Sequence, residues 1–152
     1  MGLIPRLILL SRNQDLLNAV ARMDWKAYAA MCDPSLSCFE QESRAHFVEG
    51  LEFHKIYYDA AHRFPVDPAT QPLKQVTMAS PHVRLVGRSC AILSYVRLVQ
   101  SVAQGAVSTA RAEETRIWER QKPILPKDPA ADAFETEKAR WRLVHFHRSQ
   151  WD

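Results

Sequence analysis

Arg97, Arg116 and Arg148 each interrupt a run that otherwise reads as the apolar face of a β-strand. They lie in Ala91-Ile-Leu-Ser-Tyr-Val-Arg-Leu-Val-Gln100, Glu113-Glu-Thr-Arg-Ile-Trp118 and Arg140-Trp-Arg-Leu-Val-His-Phe-His-Arg-Ser149. Residues two apart on a strand share a face, which places Arg97 with Leu93, Tyr95 and Val99, and Arg148 with Val144 and Phe146. A buried guanidinium keeps its proton and costs several kcal/mol unless a carboxylate, a backbone acceptor or a bound anion answers it. Internal carboxylates such as Glu49, Glu113 or Glu114 could answer one or two. Three guanidiniums exceed that supply, which favours a pocket for an anion, either a small carboxylate or the acidic part of a peptide.

Other residue types offer narrower chemistry. His54 falls on the core-facing stripe of a helical pattern, where a satisfied core histidine and a ligand contact are equally compatible with its position. His145 and His147 share a strand face and could chelate a metal, but no third ligand motif accompanies them, and no metal or other cofactor is expected. Glu113 and Glu114 are adjacent in a strand, so they face opposite sides and cannot act as a paired acid and base. Tyr95 and Trp118 read first as core. The cysteines Cys32, Cys38 and Cys90 have neither zinc-finger spacing nor the even count of a disulfide framework, and reduced thiols in a cytoplasmic protein are the simplest reading. Met1-Gly2 would suit myristoylation only with Ser or Thr at the sixth position, which is Arg6.

The elements that must position these residues follow from patterning. At 152 residues, with 47% hydrophobic and 24% charged side chains, the chain suits one domain over 1–152 that buries about two-thirds of its unfolded surface. A net charge of +3 without a Lys/Arg run argues against nucleic acid as a partner, and Leu7-Ile-Leu-Leu10 is far too short to cross a membrane. Leu9, Leu10, Leu16, Leu17, Val20 and Met23 suggest a helix over 7–23, followed after a break by a second over 24–31. A short strand is expected at 36–39. A longer helix is expected from Ala45 to about Phe64, with Phe47, Leu51, His54, Tyr58 and Ala61 as its stripe, weakened slightly by Gly50. Pro65, Pro68 and Pro72 mark a connecting loop. Four long strands follow, at 73–86, 89–102, 107–120 and 140–149, with an insertion over 121–138 that carries Pro123, Pro126 and Pro129 and then a helix-compatible segment. Helices first and antiparallel strands afterwards imply an α+β domain in which a curved sheet wraps one long helix.

Several motifs recur together: AAMCDP over Ala29–Pro34, FVEG over Phe47–Gly50, Phe53-His54-Lys-Ile-Tyr-Tyr58, Pro81-His-Val-Arg-Leu-Val-Gly87, Tyr95-Val-Arg-Leu-Val-Gln100, Glu113-Glu-Thr-Arg-Ile-Trp118 and Val144-His-Phe-His-Arg-Ser149. As a set, in this order over about 10–149, they resemble the association (hub) domain of calcium/calmodulin-dependent protein kinase II, within the nuclear transport factor 2-like superfamily. The resemblance implies a cone-shaped fold with a strongly bent antiparallel sheet, and a pocket lined by arginines from three strands and a helix histidine. Carried over motif by motif, these are Arg97, Arg116, Arg148 and His54.

The resemblance also implies a role in self-assembly rather than catalysis: homo-oligomers of two stacked rings, commonly of roughly six or seven subunits each. A kinase domain in a full-length protein is an implied partner. No kinase or calmodulin-binding segment precedes the hub motifs, so the chain itself is expected neither to phosphorylate nor to sense calcium. Three features depart from the family pattern: the hairpin between Trp118 and Trp141 is longer, the loop from Phe64 to Pro72 is also extended, and His62 stands where a tryptophan often follows the helix histidine. An enzyme of the ketosteroid-isomerase or polyketide-cyclase type is the alternative within the same fold. Such an enzyme needs a base in a largely apolar pocket, and His54 could serve.

Overall fold

The computed structural model describes residues 3–44, 46–64, 67, 69, 72–123, 128 and 130–150. Expectations placed on Met1, Gly2, Pro65, Pro68, Pro126 and Pro129 lie outside them. Helix α1 (Leu3–Ala21) and α2 (Trp25–Met31) lead into β1 (Cys32–Phe39), a 3₁₀ turn over Gln41–Ser43, and β2 (Val48–Glu49). Helix α3 (Glu52–Arg63), the long strands β3 (Leu73–Val86), β4 (Cys90–Ala103) and β5 (Ala106–Arg120), α4 (Ala133–Ala139) and β6 (Trp141–Gln150) complete the chain.

One six-stranded sheet, in the order β2-β1-β6-β5-β4-β3, carries the core. All neighbouring pairs are antiparallel except β1 with β6, which run parallel. The long β4–β5 hairpin closes through Gln104-Gly105, whose φ values of 52° and 78° suit the tight turn that matches strand twist. Register shifts interrupt β3 near Ser80 and the β5–β6 pairing beside Val144, and such bulges bend a sheet. The shift at Val144 also breaks simple alternation. Leu143 and Phe146 are both buried while Val144 is not, so Arg148 shares its face with Phe146 alone.

Two expectations about helices change. The longest helix is α1, whose buried Ile8, Leu9, Leu16, Leu17 and Ala19 lie in the core. It is pinned to the sheet by Asn13, which accepts from Trp118 Nε1 at 3.1 Å, and by Arg12 Nε, which donates to the Trp141 carbonyl at 3.0 Å. Helix α3 is shorter than expected, because 48–51 is used by the sheet. Val48 and Glu49 pair with Cys38 and Ser37, Gly50 N–H donates to the Leu36 carbonyl at 2.8 Å, and Gly50 turns the chain with a φ of 92°. A left-handed residue there costs glycine little and would strain a side chain. Phe47 therefore leaves the helical stripe and packs against Phe39 at the sheet margin. The rest of the stripe holds, with Leu51, His54 and Tyr58 buried.

Part of the insertion between β5 and β6 is ordered as α4, capped by Asp132, which accepts from the amides of Phe134 and Glu135. Its Lys138 reaches Asp15 of α1 at 2.7 Å. Arg120 and Arg140 both pair with Glu137, clamping the helix to the strand ends that flank it.

Candidate functional site: an arginine and carboxylate cavity

Between α2, α3 and the concave face of β5 and β6 lies a cavity of about 220 Å³. Its floor is Arg116, fully buried, with its guanidinium carbon 4.5 Å from the centre of the Phe146 ring. Strand parity explains Arg116: in β5 the residues Ala112, Glu114, Arg116 and Trp118 all point inward. Glu113 points outward, as adjacency requires. Glu114 Oε2 lies 3.1 Å from Arg116 Nη2 and 3.7 Å from Arg97 Nη1, while Tyr95 OH donates to Glu114 Oε1 at 2.5 Å and accepts from Arg116 Nε at 3.0 Å. Burial alone would push the Glu114 carboxyl up. Arg116, Arg97 and the Tyr95 hydrogen bond outweigh that and hold it below the usual carboxylate range.

Arg148 occupies the wall. Its Nη2 lies 3.5 Å from Glu40 Oε2 and pairs closely with Glu42, whose side chain is half exposed on the 3₁₀ turn. His54 enters from the first turn of α3, with Nε2 3.6 Å from Glu40 Oε1 and 3.4 Å from Cys38 Sγ. Burial, then the charge on Arg116, pushes His54 down to about 4, so the imidazole is neutral near pH 7. Glu40 moves the other way. Its burial raises it despite Arg148, and the neighbouring Glu42 adds to the rise.

Arg116, Arg148 and His54 thus line one cavity. Arg97 does not. It stands behind Glu114, mostly buried, and reaches the cavity residues only through that carboxylate. Sequence reasoning missed Glu40 and Glu42, which pair with Arg148 as Glu114 pairs with Arg97 and Arg116, so carboxylates answer all three guanidiniums. The signal was present in Phe39-Glu-Gln-Glu42 directly after a strand, where two acids at even spacing follow its inward face. Glu49 faces solvent instead. Even so, among the described residues the buried Arg97 Nε, Arg116 Nη1 and Arg148 Nε find no hydrogen-bond partner. Of the expected histidine pair, His145 Nδ1 lies 2.8 Å from Ser37 Oγ on the other face of the sheet, and His147 is exposed. Tyr95 and Trp118 are core residues, and His62 is exposed.

Residues 9–123 match the family model of the calcium/calmodulin dependent protein kinase II association domain. The chain belongs to that family. Among its relatives is the calcium/calmodulin-dependent protein kinase type II subunit delta of Oryctolagus cuniculus, 34% identical over 137 residues, which are 90% of this chain and 22% of the rabbit protein. The association domain described here therefore spans about a fifth of that relative. The hub homology domain of Chlamydomonas reinhardtii is 45% identical with a TM-score of 0.76, covering 97% of this chain and 99% of that one. The kinase II hub of S. rosetta is 38% identical with a TM-score of 0.69, covering 95% of each chain. A nuclear transport factor 2-like protein from Rhodospirillum rubrum, at 18% identity and a TM-score of 0.63, shares the fold alone. Among the described residues no helix is long and apolar enough to cross a membrane.

Proposed function

We propose that this association domain is an oligomerisation hub, a single unit over 1–152 whose copies assemble into two stacked rings of roughly six or seven or more subunits. In this reading it gathers whatever is fused to or bound by each subunit, a kinase domain in a full-length cytoplasmic protein included, and performs no catalysis of its own. Besides family membership, the carrying observation is the outer face of α3. Outside its buried stripe, Phe53 and Ile56 stand exposed three residues apart and Phe64 follows at the C-cap, with Ile56 61% exposed. A helix apolar on two sides has use for a second partner, and contiguous exposed apolar area of this kind marks interaction surfaces. The expected result in native mass spectrometry is a particle many subunits in size, which Ile56→Glu reduces while far-ultraviolet circular dichroism stays unchanged. A wild-type monomer or dimer would overturn the hub reading.

The pocket is the second part of the proposal: Arg116, Arg148 and His54, backed by Arg97, accept a small carboxylate or the acidic side chain of a peptide. The unpartnered guanidinium nitrogens support it, since a buried N–H without an acceptor costs about 1–3 kcal/mol that an incoming oxygen recovers. Glu42 already holds Arg148 as such a ligand would, from an exposed position that water can reclaim. Glu42→Gln should therefore tighten the binding of acetate and larger carboxylates several-fold in thermal-shift titrations, and Arg148→Gln should weaken it. Equal stabilisation of wild type and Arg148→Gln would count against the pocket. Arg116 is a poorer choice for this test, because its removal leaves Glu114 buried and undercompensated.

A further inference from the structure

Beside the arginine cavity is a cluster of different chemistry. Cys38 and Glu40, two residues apart at the end of β1, point to the same side, and His54 faces them from α3. Their three donor atoms lie within 4.8 Å of one another, and all three residues are buried. Among the described residues the buried His54 Nδ1 has no hydrogen-bond partner. With the proton on Nδ1, the Nε2 lone pair faces Glu40 Oε1 at 3.6 Å and Cys38 Sγ at 3.4 Å. Two acceptors then share one weak thiol donor. Arg148 holds Glu40 Oε2 and leaves Oε1 turned inward. Tyr57 OH donates to Oε1 from only 3.3 Å.

We propose that Cys38, Glu40 and His54 are ligands of a single divalent cation of borderline softness, of which Zn²⁺ is the best fit, with the cavity supplying a fourth, open position. Thiolate, imidazole and carboxylate together are the donor set that such an ion takes. Bonds of about 2.3 Å to sulfur and about 2.0 Å to nitrogen and oxygen, at tetrahedral angles, separate S from N by about 3.5 Å and N from O by about 3.3 Å. The observed 3.4 and 3.6 Å are within a few tenths of those spans, while the third edge, from Cys38 Sγ to the Glu40 carboxylate, lies within 4.8 Å and must close to about 3.5 Å on loading. Loading exchanges the Cys38 thiol proton for the ion and releases that proton to solvent. The thiolate and Glu40 then bring two negative charges to two positive ones. The loaded site is neutral toward the neighbouring Arg116 and Arg148. Ligation through Nε2 requires the proton on Nδ1, the nitrogen that is without a hydrogen-bond partner among the described residues. Glu40 and His54 both line the cavity, which gives the fourth position room for water.

The test uses the intact chain, stripped with a chelator and then titrated with Zn²⁺ and separately with Co²⁺. The expected result is one tightly held equivalent per chain, with a thiolate-to-cobalt band in the near ultraviolet. That band is lost in Cys38→Ala and retained in Cys90→Ala and in a His145→Gln, His147→Gln double variant. Failure of wild type to retain one equivalent, or a band that survives Cys38→Ala, overturns the site. Should Cys38→Ala not fold, alkylation of wild type followed by peptide mass spectrometry decides the matter. Zn²⁺ should slow modification of Cys38 at least several-fold while leaving the partly exposed Cys90 unaffected, and equal rates with and without Zn²⁺ refute the proposal.

Discussion

Glu114 organises the charged interior. It meets two guanidiniums, Arg97 from β4 and Arg116 from its own strand, with Tyr95 donating from β4 and Arg148 on β6 adding to the field. Desolvating these ions is costly, and only their mutual pairing repays it, so removing one member leaves an uncompensated charge worth about 3–5 kcal/mol. Glu114→Gln should therefore lower stability by about that amount in urea titration at pH 7, although the substitution nearly preserves shape. The pH dependence follows from the lowered acidity. The unfolded carboxyl takes up its proton near 4.5, whereas the folded one resists until lower pH. Between those two values the unfolded chain binds more protons, so the contribution is present above about 4.5 and is lost as pH falls below it. The stability gap between wild type and Glu114→Gln should accordingly narrow in acid. A gap that stays constant from pH 7 down to 3 would mean that Glu114 is not the ionised centre of the cluster.

At the scale of elements, what the sequence disclosed and what it hid have separate physical causes. The four long strands lie within about one residue of their expected limits because period-two patterning and turn chemistry at Gly87 and Gly105 agree there. Helix α3 was overextended at its start because Phe47 and Leu51 fit a helical period by coincidence, while the hydrogen bonds of 48–51 go to Leu36 and Pro34 of β1. A two-residue strand has too little sequence to show a period. The parallel pairing of β1 with β6 joins segments more than a hundred residues apart, and no local signal encodes it. The same distance effect governs the site. Arg97, Arg116, Arg148 and His54 stood out locally as polar groups on apolar faces, but Glu40 and Glu42 looked like an ordinary acidic turn until β1 lay beside β6. The bulge at Val144 finishes the arrangement, because without it Phe146 and Arg148 would lie on the opposite face from Trp141 and Leu143.

For the whole molecule, an assembling hub and a self-sufficient monomer differ in how stability depends on amount. The subunit already buries a continuous core from α1 through Trp118, Trp141 and Leu143, so it has the means to fold before it associates. Yet Phe53 and Ile56 on α3, Phe64 at its C-cap, Val102 and Val107 at the β4–β5 tip, and Leu3 and Ile4 on α1 stay in water. Covering them stabilises the folded state at roughly 25 cal/mol per Å² of apolar area, before the cost of lost freedom on association. That gain reaches the folding equilibrium only by mass action, since the unfolded chain cannot form the interface. The melting midpoint of the wild type should therefore rise steadily as protein concentration is raised over two decades, with calorimetry as the measurement. Ile56→Glu should melt lower and with a midpoint that hardly moves with concentration, because its α3 face no longer joins subunits. If both proteins melted independently of concentration, the exposed apolar stripe would be contributing nothing to association, and the assembly would have to rest on some other face.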